Sequence, residues 1–104
     1  MSDNYIVTLG EVFRLFRLTQ DGWTIKMTAQ KLGISPKQLS RIEKNSKKIF
    51  KDTELLKKFA MVYGVPVGEF FRIERKSKKY GFDFQQALEE VLKTYLKHKA
   101  IRKS

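Results

Sequence analysis

Two helix boundaries lie almost back to back in this 104-residue chain, and they restrict its fold more than any other feature. Gly33 can end one helix, because glycine adopts a left-handed backbone conformation at little cost. Ser35 and Pro36, separated from it by a single residue, combine an N-cap residue with the residue type favoured at the first helical position. The preceding helix can begin after another N-cap residue, Thr24. The chain must therefore turn sharply between two short helices.

Helical periodicity continues on both sides of this turn, and no segment shows the alternation of a convincing strand. Thr8 and Glu11 have capping-box spacing before a first apolar stripe, and Asp83 and Gln86 have the same spacing before a last one. The pattern predicts an all-α chain, with five short helices up to residue 71 and an amphipathic helix at the C-terminal end.

The charge of the chain favours a polyanionic partner. There are 22 Lys and Arg residues against 11 Asp and Glu residues, which gives a formal net charge of +11. A polyanion would relieve the resulting self-repulsion, and nucleic acid is the obvious candidate because each neutralised phosphate releases counterions. Charge alone leaves open a basic surface kept for solubility or an acidic membrane face. The densest basic run, residues 72–80, is expected either to contact phosphate or to be a solvated linker.

The residue inventory offers little for catalysis or for metal binding. The chain has no Cys and a single His, His98, which excludes thiolate sites and zinc sites with two His ligands. Glu89 and Glu90 are adjacent on a helix, so they face different directions and not a shared pocket. No apolar run approaches the ~20 residues of a membrane span, and the first ten residues lack the features of a signal peptide. We expect a cytoplasmic protein that is not an enzyme and has no cofactor, metal or small-molecule ligand.

Four spaced motifs lie at residues 9–17 (LGEVFRLFR), 29–35 (AQKLGIS), 39–45 (LSRIEKN) and 63–71 (YGVPVGEFF). Together they resemble the lambda-repressor-like, or Xre-type, helix-turn-helix family. They agree with that family in order and spacing between residues 9 and 71. The resemblance implies a five-helix domain whose third helix enters the major groove of double-stranded DNA. It also implies a regulator of transcription that commonly acts as a dimer on an inverted repeat.

The outward side of the third helix is where we expect contacts with base edges. Lys37, Gln38 and Arg41 carry the donors that read bases, with Arg or Lys suited to guanine and Gln to adenine. The resemblance adds Pro36 and Ser40 as minor base contacts. The alternative interpretation is a helix face that is merely solvated.

The resemblance also implies phosphate contacts on both sides of that helix. Thr24 and Ile25 would supply backbone N–H groups at the start of the second helix. A basic loop after the third helix would bind phosphate on the other side, although such a loop is often only solvated. Arg17 and Glu43 would tie the first helix to the end of the third, or form an exposed pair of little consequence. The phosphate-contacting residues expected in and beside the loop are Lys44, Asn45, Ser46, Lys47 and Lys48.

The last helix carries an apolar stripe that DNA binding does not explain. It could fold back on the first and fifth helices, or pair with a second copy across a two-fold axis. We expect dimerisation, because two half-sites require two copies at a fixed spacing. The residues expected at this contact are Leu88, Val91, Leu92 and Tyr95.

These features divide the chain into a helix-turn-helix DNA-binding domain at residues 1–71, a basic linker at 72–82 and a C-terminal dimerisation helix at 83–104. The function that we expect is a sequence-specific regulator, acting as a repressor by occupying its site as a homodimer. The alternative is a helix-turn-helix module that serves as a protein-interaction adaptor or antitoxin.

Overall fold

Six α-helices form most of the part of the chain that the computed structural model describes, which is residue 5, residues 7–44 and residues 51–103. The architecture confirms the prediction of an all-α domain followed by a C-terminal helix. None of the helices in these ranges is long and apolar enough to cross a membrane. The helices are α1 (Leu9–Leu18), α2 (Ile25–Leu32), α3 (Pro36–Lys44), α4 (Thr53–Tyr63), α5 (Val67–Tyr80) and α6 (Phe84–Lys103).

Side-chain caps begin the helices where the sequence pattern places them. Thr8, Thr24 and Ser35 each accept a hydrogen bond from the backbone N–H three residues later, at 3.0–3.1 Å. Each cap satisfies a donor that has no partner within its helix. Asp83 and Gln86 form a complete reciprocal capping box, with hydrogen bonds of 2.9 and 2.8 Å. The N-terminal boundaries of α1, α2, α3 and α6 are therefore encoded locally.

The sharp turn between α2 and α3 is closed by Gly33, whose φ of 75° lies in the left-handed region. The N–H of Ile34 donates to the carbonyl oxygen of Ala29 at 3.0 Å, as in a Schellman-type helix end. Ala29 is fully buried, and its small side chain allows α2 and α3 to pack closely. The turn predicted from two adjacent helix boundaries is confirmed.

The core is centred on α1, which packs against α3, α4, α5 and α6. Phe13 stacks on Phe59 with ring centroids 4.0 Å apart, and both Phe13 and Phe16 meet Phe70 edge to face. All four rings are fully buried, so they hold the helices together and do not form a base-stacking surface.

Gly10 allows the backbones of α1 and α3 to approach each other. A Cβ atom at this position would overlap the carbonyl oxygen of Ile42 and lie 3.0 Å from that of Glu43. Because both neighbours are backbone atoms, they cannot rotate away as a side chain would. This contact fixes the distance between the central helix and α3.

The basic run 72–80, which the sequence analysis assigns to a linker, instead continues α5 to Tyr80. Phe70, Ile73 and Ser77 form its buried side, and Gly81 ends it with a φ of 62°. The extension was missed because Ile73 is the one apolar residue among the three buried positions of the run, the others being Glu74 and Ser77, and cationic residues surround them. Phosphate contact by residues 72–80 stays a prediction.

The last helix folds back on α1 and α5, which is the first of the two arrangements considered from sequence. Val91, expected at a dimer contact, is fully buried within its own chain, so that assignment is wrong. Leu88 and Tyr95 are half-buried, and Leu92 is 41% exposed. Only the outer part of the stripe therefore remains accessible, and dimerisation itself stays a prediction.

Polar contacts hold α6 against α5. Arg72 donates to Glu90 at 3.0 Å and to the hydroxyl of Thr94 at 2.8 Å. His98 Nε2 lies 2.7 Å from Glu69 Oε2, so His98 also connects α6 to α5. Burial opposes ionisation of Glu69 and Glu90, but hydrogen bonds from cationic neighbours outweigh it and hold both pKa values below their usual range.

Candidate nucleic-acid interface

The outward face of α3 is open to solvent. Lys37, Gln38 and Arg41 are exposed, while Leu39 and Ile42 are buried on the opposite side. The three polar side chains therefore occupy one side of a helix whose other side is anchored in the core. Because α6 packs on α1 and α5, the C-terminal helix leaves these side chains accessible.

Two residues expected to make minor base contacts lie at the border of this face. Pro36 is exposed at the first position of α3, and Ser40 is half-buried. Ser40 faces a cleft beside α3, so it lies between the outward face and the neighbouring helices.

The residues expected to contact phosphate fall into two groups. Thr24 is exposed at the N-cap of α2, where its hydroxyl accepts the N–H of Met27, and Ile25 is half-buried as the first residue of that helix. Lys44 is exposed at the end of α3. The remaining loop residues, Asn45, Ser46, Lys47 and Lys48, lie outside the residues that the structure describes.

A cleft of about 620 Å³ lies along α3, between that helix, α1 and the start of α2. It brings together residues expected at the base edges, residues expected at phosphate, and residues of α1 that the sequence analysis does not assign to DNA. The lining residues are Thr8, Glu11, Arg14, Arg17, Ile25, Ser40, Glu43 and Lys44.

Arg17 and Glu43 form the ion pair that the family resemblance implies. Arg17 Nε and Nη2 donate to the two carboxylate oxygens of Glu43 at 2.9 and 3.0 Å. The side chains are only 12% and 5% exposed, which rules out the alternative of an exposed pair. The hydrogen bonds to Glu43 outweigh burial and raise the pKa of Arg17. The pair fastens the end of α3 to the central helix in the fixed fork geometry of Arg and carboxylate.

A second ion pair lies on the α1 side of the cleft and was missed from sequence. Arg14 Nη1 donates to Glu11 Oε2 at 3.0 Å, and the hydroxyl of Tyr5 donates to the same oxygen. Arg14 is 40% exposed and Glu11 15% exposed. Burial raises the pKa of Glu11, although Arg14 lowers it in part. The available signal was the spacing, since Glu11, Arg14 and Arg17 recur every three residues on one side of α1.

The fold and the exposed polar face of α3 define a helix-turn-helix module of the DNA-binding kind. A helix-turn-helix family model matches residues 13–70, which is more than half of the chain. The chain therefore belongs to this Xre-type, lambda-repressor-like family of DNA-binding regulators. No curated protein and no solved structure gives a significant match to the chain.

Proposed function

We propose that this protein is a transcriptional repressor that binds a specific double-stranded DNA sequence and blocks access to it. The observation that carries the proposal is the joint exposure of Lys37, Gln38 and Arg41 on α3. These side chains supply the donors that discriminate base edges in the major groove. Leu39 and Ile42 anchor the same helix from the other side, so its orientation is fixed before DNA is bound.

The dimensions of α3 support this mode of binding. An α-helix with its side chains is about 10–12 Å in diameter, so α3 fits the major groove, which is about 12 Å wide. Lys37 and Arg41 are one helical turn apart and point the same way, so both can face bases at once. Ser40 and Pro36 border this contact, where smaller contributions are expected.

Phosphate contacts on either side would set the position of α3 in the groove. The start of α2, at Thr24 and Ile25, offers backbone N–H groups that have no partner within the helix. Lys44 at the end of α3 supplies a cation, and Lys47 and Lys48 follow it in the sequence. Such contacts fix position and affinity without reading sequence.

The repressor would act as a homodimer on an inverted repeat. Leu92 and Leu96 are neighbours on one side of α6 and are 41% and 51% exposed, while Leu88 and Tyr95 add half-buried area beside them. Pairing of this surface with a second copy would remove apolar area from water. A dimer would also supply the two α3 helices that a palindromic site requires.

Selection of bound duplexes from a random pool tests the function directly. A palindromic consensus is the expected result, because it reports both base recognition and two-fold symmetry. A single half-site would support base reading by a monomer and contradict the dimer. A pool without enrichment, together with no duplex affinity at low salt, would refute the proposal and favour the adaptor alternative.

Binding titrations of two variants then separate base contacts from phosphate contacts. Arg41→Ala should lose about 1–3 kcal/mol on the selected site and much less on random DNA. Lys44→Ala should weaken both complexes equally and lower the salt dependence. Equal losses on both duplexes for Arg41→Ala would contradict its base-reading role.

A further inference from the structure

We propose that the cleft between α1 and α3 receives a phosphate group of the bound duplex, and that Arg14 is the α1 cation that contacts it. The inference rests on the proposed DNA-binding function and adds a contact from a helix that the sequence analysis leaves out of the interface. It is carried by the position of the cleft, by the charges that line it and by the exposure of those charges.

The cleft lies where one DNA strand must pass if α3 occupies the major groove. Ser40 and Lys44 of α3 line it, and these residues form one edge of the outward face of that helix. The phosphates of the two strands flank a helix in the groove on both sides. The strand on the side of Ser40 and Lys44 therefore faces the cleft and the residues of α1 beyond it.

The charge accessible within the cleft is positive. Three cations and two carboxylates line it, but Arg17 and Glu43 neutralise each other in a buried pair. Of the remaining charged groups, Lys44 is exposed and Arg14 is 40% exposed, whereas Glu11 is only 15% exposed. An anion that enters the cleft therefore meets cationic groups before it meets a carboxylate.

Arg14 is already oriented for such a contact. Its Nη1 donates to Glu11, which holds the guanidinium at the cleft. A guanidinium has five N–H donors, and this hydrogen bond occupies one of them. Arg14 can thus contact a phosphate oxygen while it remains paired with Glu11.

A matched pair of variants tests the proposal, because Arg14→Gln and Glu11→Gln break the same ion pair but change the cleft charge in opposite directions. Arg14→Gln should weaken binding to the selected duplex and to random duplex alike. The ratio of the variant's affinity at 50 mM salt to its affinity at 200 mM salt should be about threefold smaller than that of the parent protein, which is the effect of one lost phosphate contact. Glu11→Gln should strengthen binding to both duplexes.

The chain provides a control pair of the same geometry away from the cleft. Glu54 and Lys57 form an ion pair at the same spacing on α4, with a distance of 3.5 Å, and both are largely exposed. Lys57→Gln removes one positive charge, so it measures the effect of net charge alone and should leave the salt dependence nearly unchanged. A loss for Lys57→Gln as large as that for Arg14→Gln would overturn the proposal.

Two further outcomes would also overturn it. If Arg14→Gln and Glu11→Gln change DNA affinity in the same direction, the pair acts through the fold and not through the cleft. If Arg41→Ala abolishes site preference while Arg14→Gln leaves the salt dependence intact, DNA binding stands and only the cleft contact fails. Absence of duplex binding by the parent protein would remove the proposed function and this inference together.

Discussion

Removal of Arg17 is the perturbation whose energetic effect follows most directly from the structure. The guanidinium makes two hydrogen bonds to Glu43, and the carboxylate is 5% exposed. Arg17→Met would leave that carboxylate buried without its partner. Loss of one member of a buried ion pair costs about 3–5 kcal/mol. A domain of this size loses about 4–8 °C of melting temperature per kcal/mol, so a decrease of at least ~12 °C is expected.

The double variant Arg17→Met with Glu43→Leu distinguishes an ion pair from simple packing. With both charges replaced by apolar side chains of similar size, no buried charge remains, so most of the lost stability should return. Urea unfolding followed by circular dichroism at 222 nm gives the free energy of unfolding of the parent, the two single variants and the double variant. If the losses of the two single variants simply add in the double variant, the two residues are not coupled and the reasoning is refuted.

Three other predictions follow from single contacts. Gly10→Ala should destabilise the protein by about 1–3 kcal/mol, because the added Cβ would overlap the backbone of α3. Gly68 has open space around it, so the control variant Gly68→Ala should be neutral or slightly stabilising. Equal effects of the two substitutions in thermal melts would contradict the close approach of α1 and α3. The pKa of Glu90 is lower in the folded protein than its ordinary value of 4.5, so ionised Glu90 stabilises the fold at pH values above 4.5. This stability is lost as the pH falls through the lower pKa of the folded state. Glu90→Gln should therefore be less stable than the parent at pH 7 and lose less stability between pH 5 and pH 2, and an unchanged acid profile would rule out this contribution. Leu92→Lys should give a folded monomer in sedimentation equilibrium if the outer face of α6 forms the dimer, whereas a variant that remains dimeric would place the contact elsewhere.

The helix-turn-helix was predictable from sequence because its determinants are local. The caps at Thr24 and Ser35 and the left-handed Gly33 act within one turn of their own positions, so neighbouring residues reveal them. The outward position of Lys37 and Arg41 follows in the same way, since helical period and buried neighbours determine it. These features require no knowledge of how distant helices pack.

Most of the features that sequence reasoning missed depend on packing between helices. Ile73 is a buried residue in the part of α5 that sequence reasoning assigned to a linker. Its burial results from the packing of α1 and α6 on α5, so it cannot be inferred from neighbouring residues alone. His98 and Glu69 are 29 positions apart, and only the antiparallel packing of α5 and α6 brings them together. The cleft likewise requires three helices to be placed, so the spacing of Glu11 and Arg14 could indicate their pairing but not the cleft that they line.

The position of Glu43 explains how α3 combines a firm anchor with a cationic surface. Glu43 is the one acidic residue between positions 36 and 44, and an outward carboxylate there would repel DNA phosphates. Its side chain instead points inward, where Arg17 forms two hydrogen bonds with it and neutralises its charge. One contact thus fixes α3 to the central helix and leaves its outward face with positive charge alone. A substitution that freed this carboxylate would therefore weaken both the fold and the proposed DNA contact, whereas replacement of both partners would leave no such carboxylate and keep most of the stability.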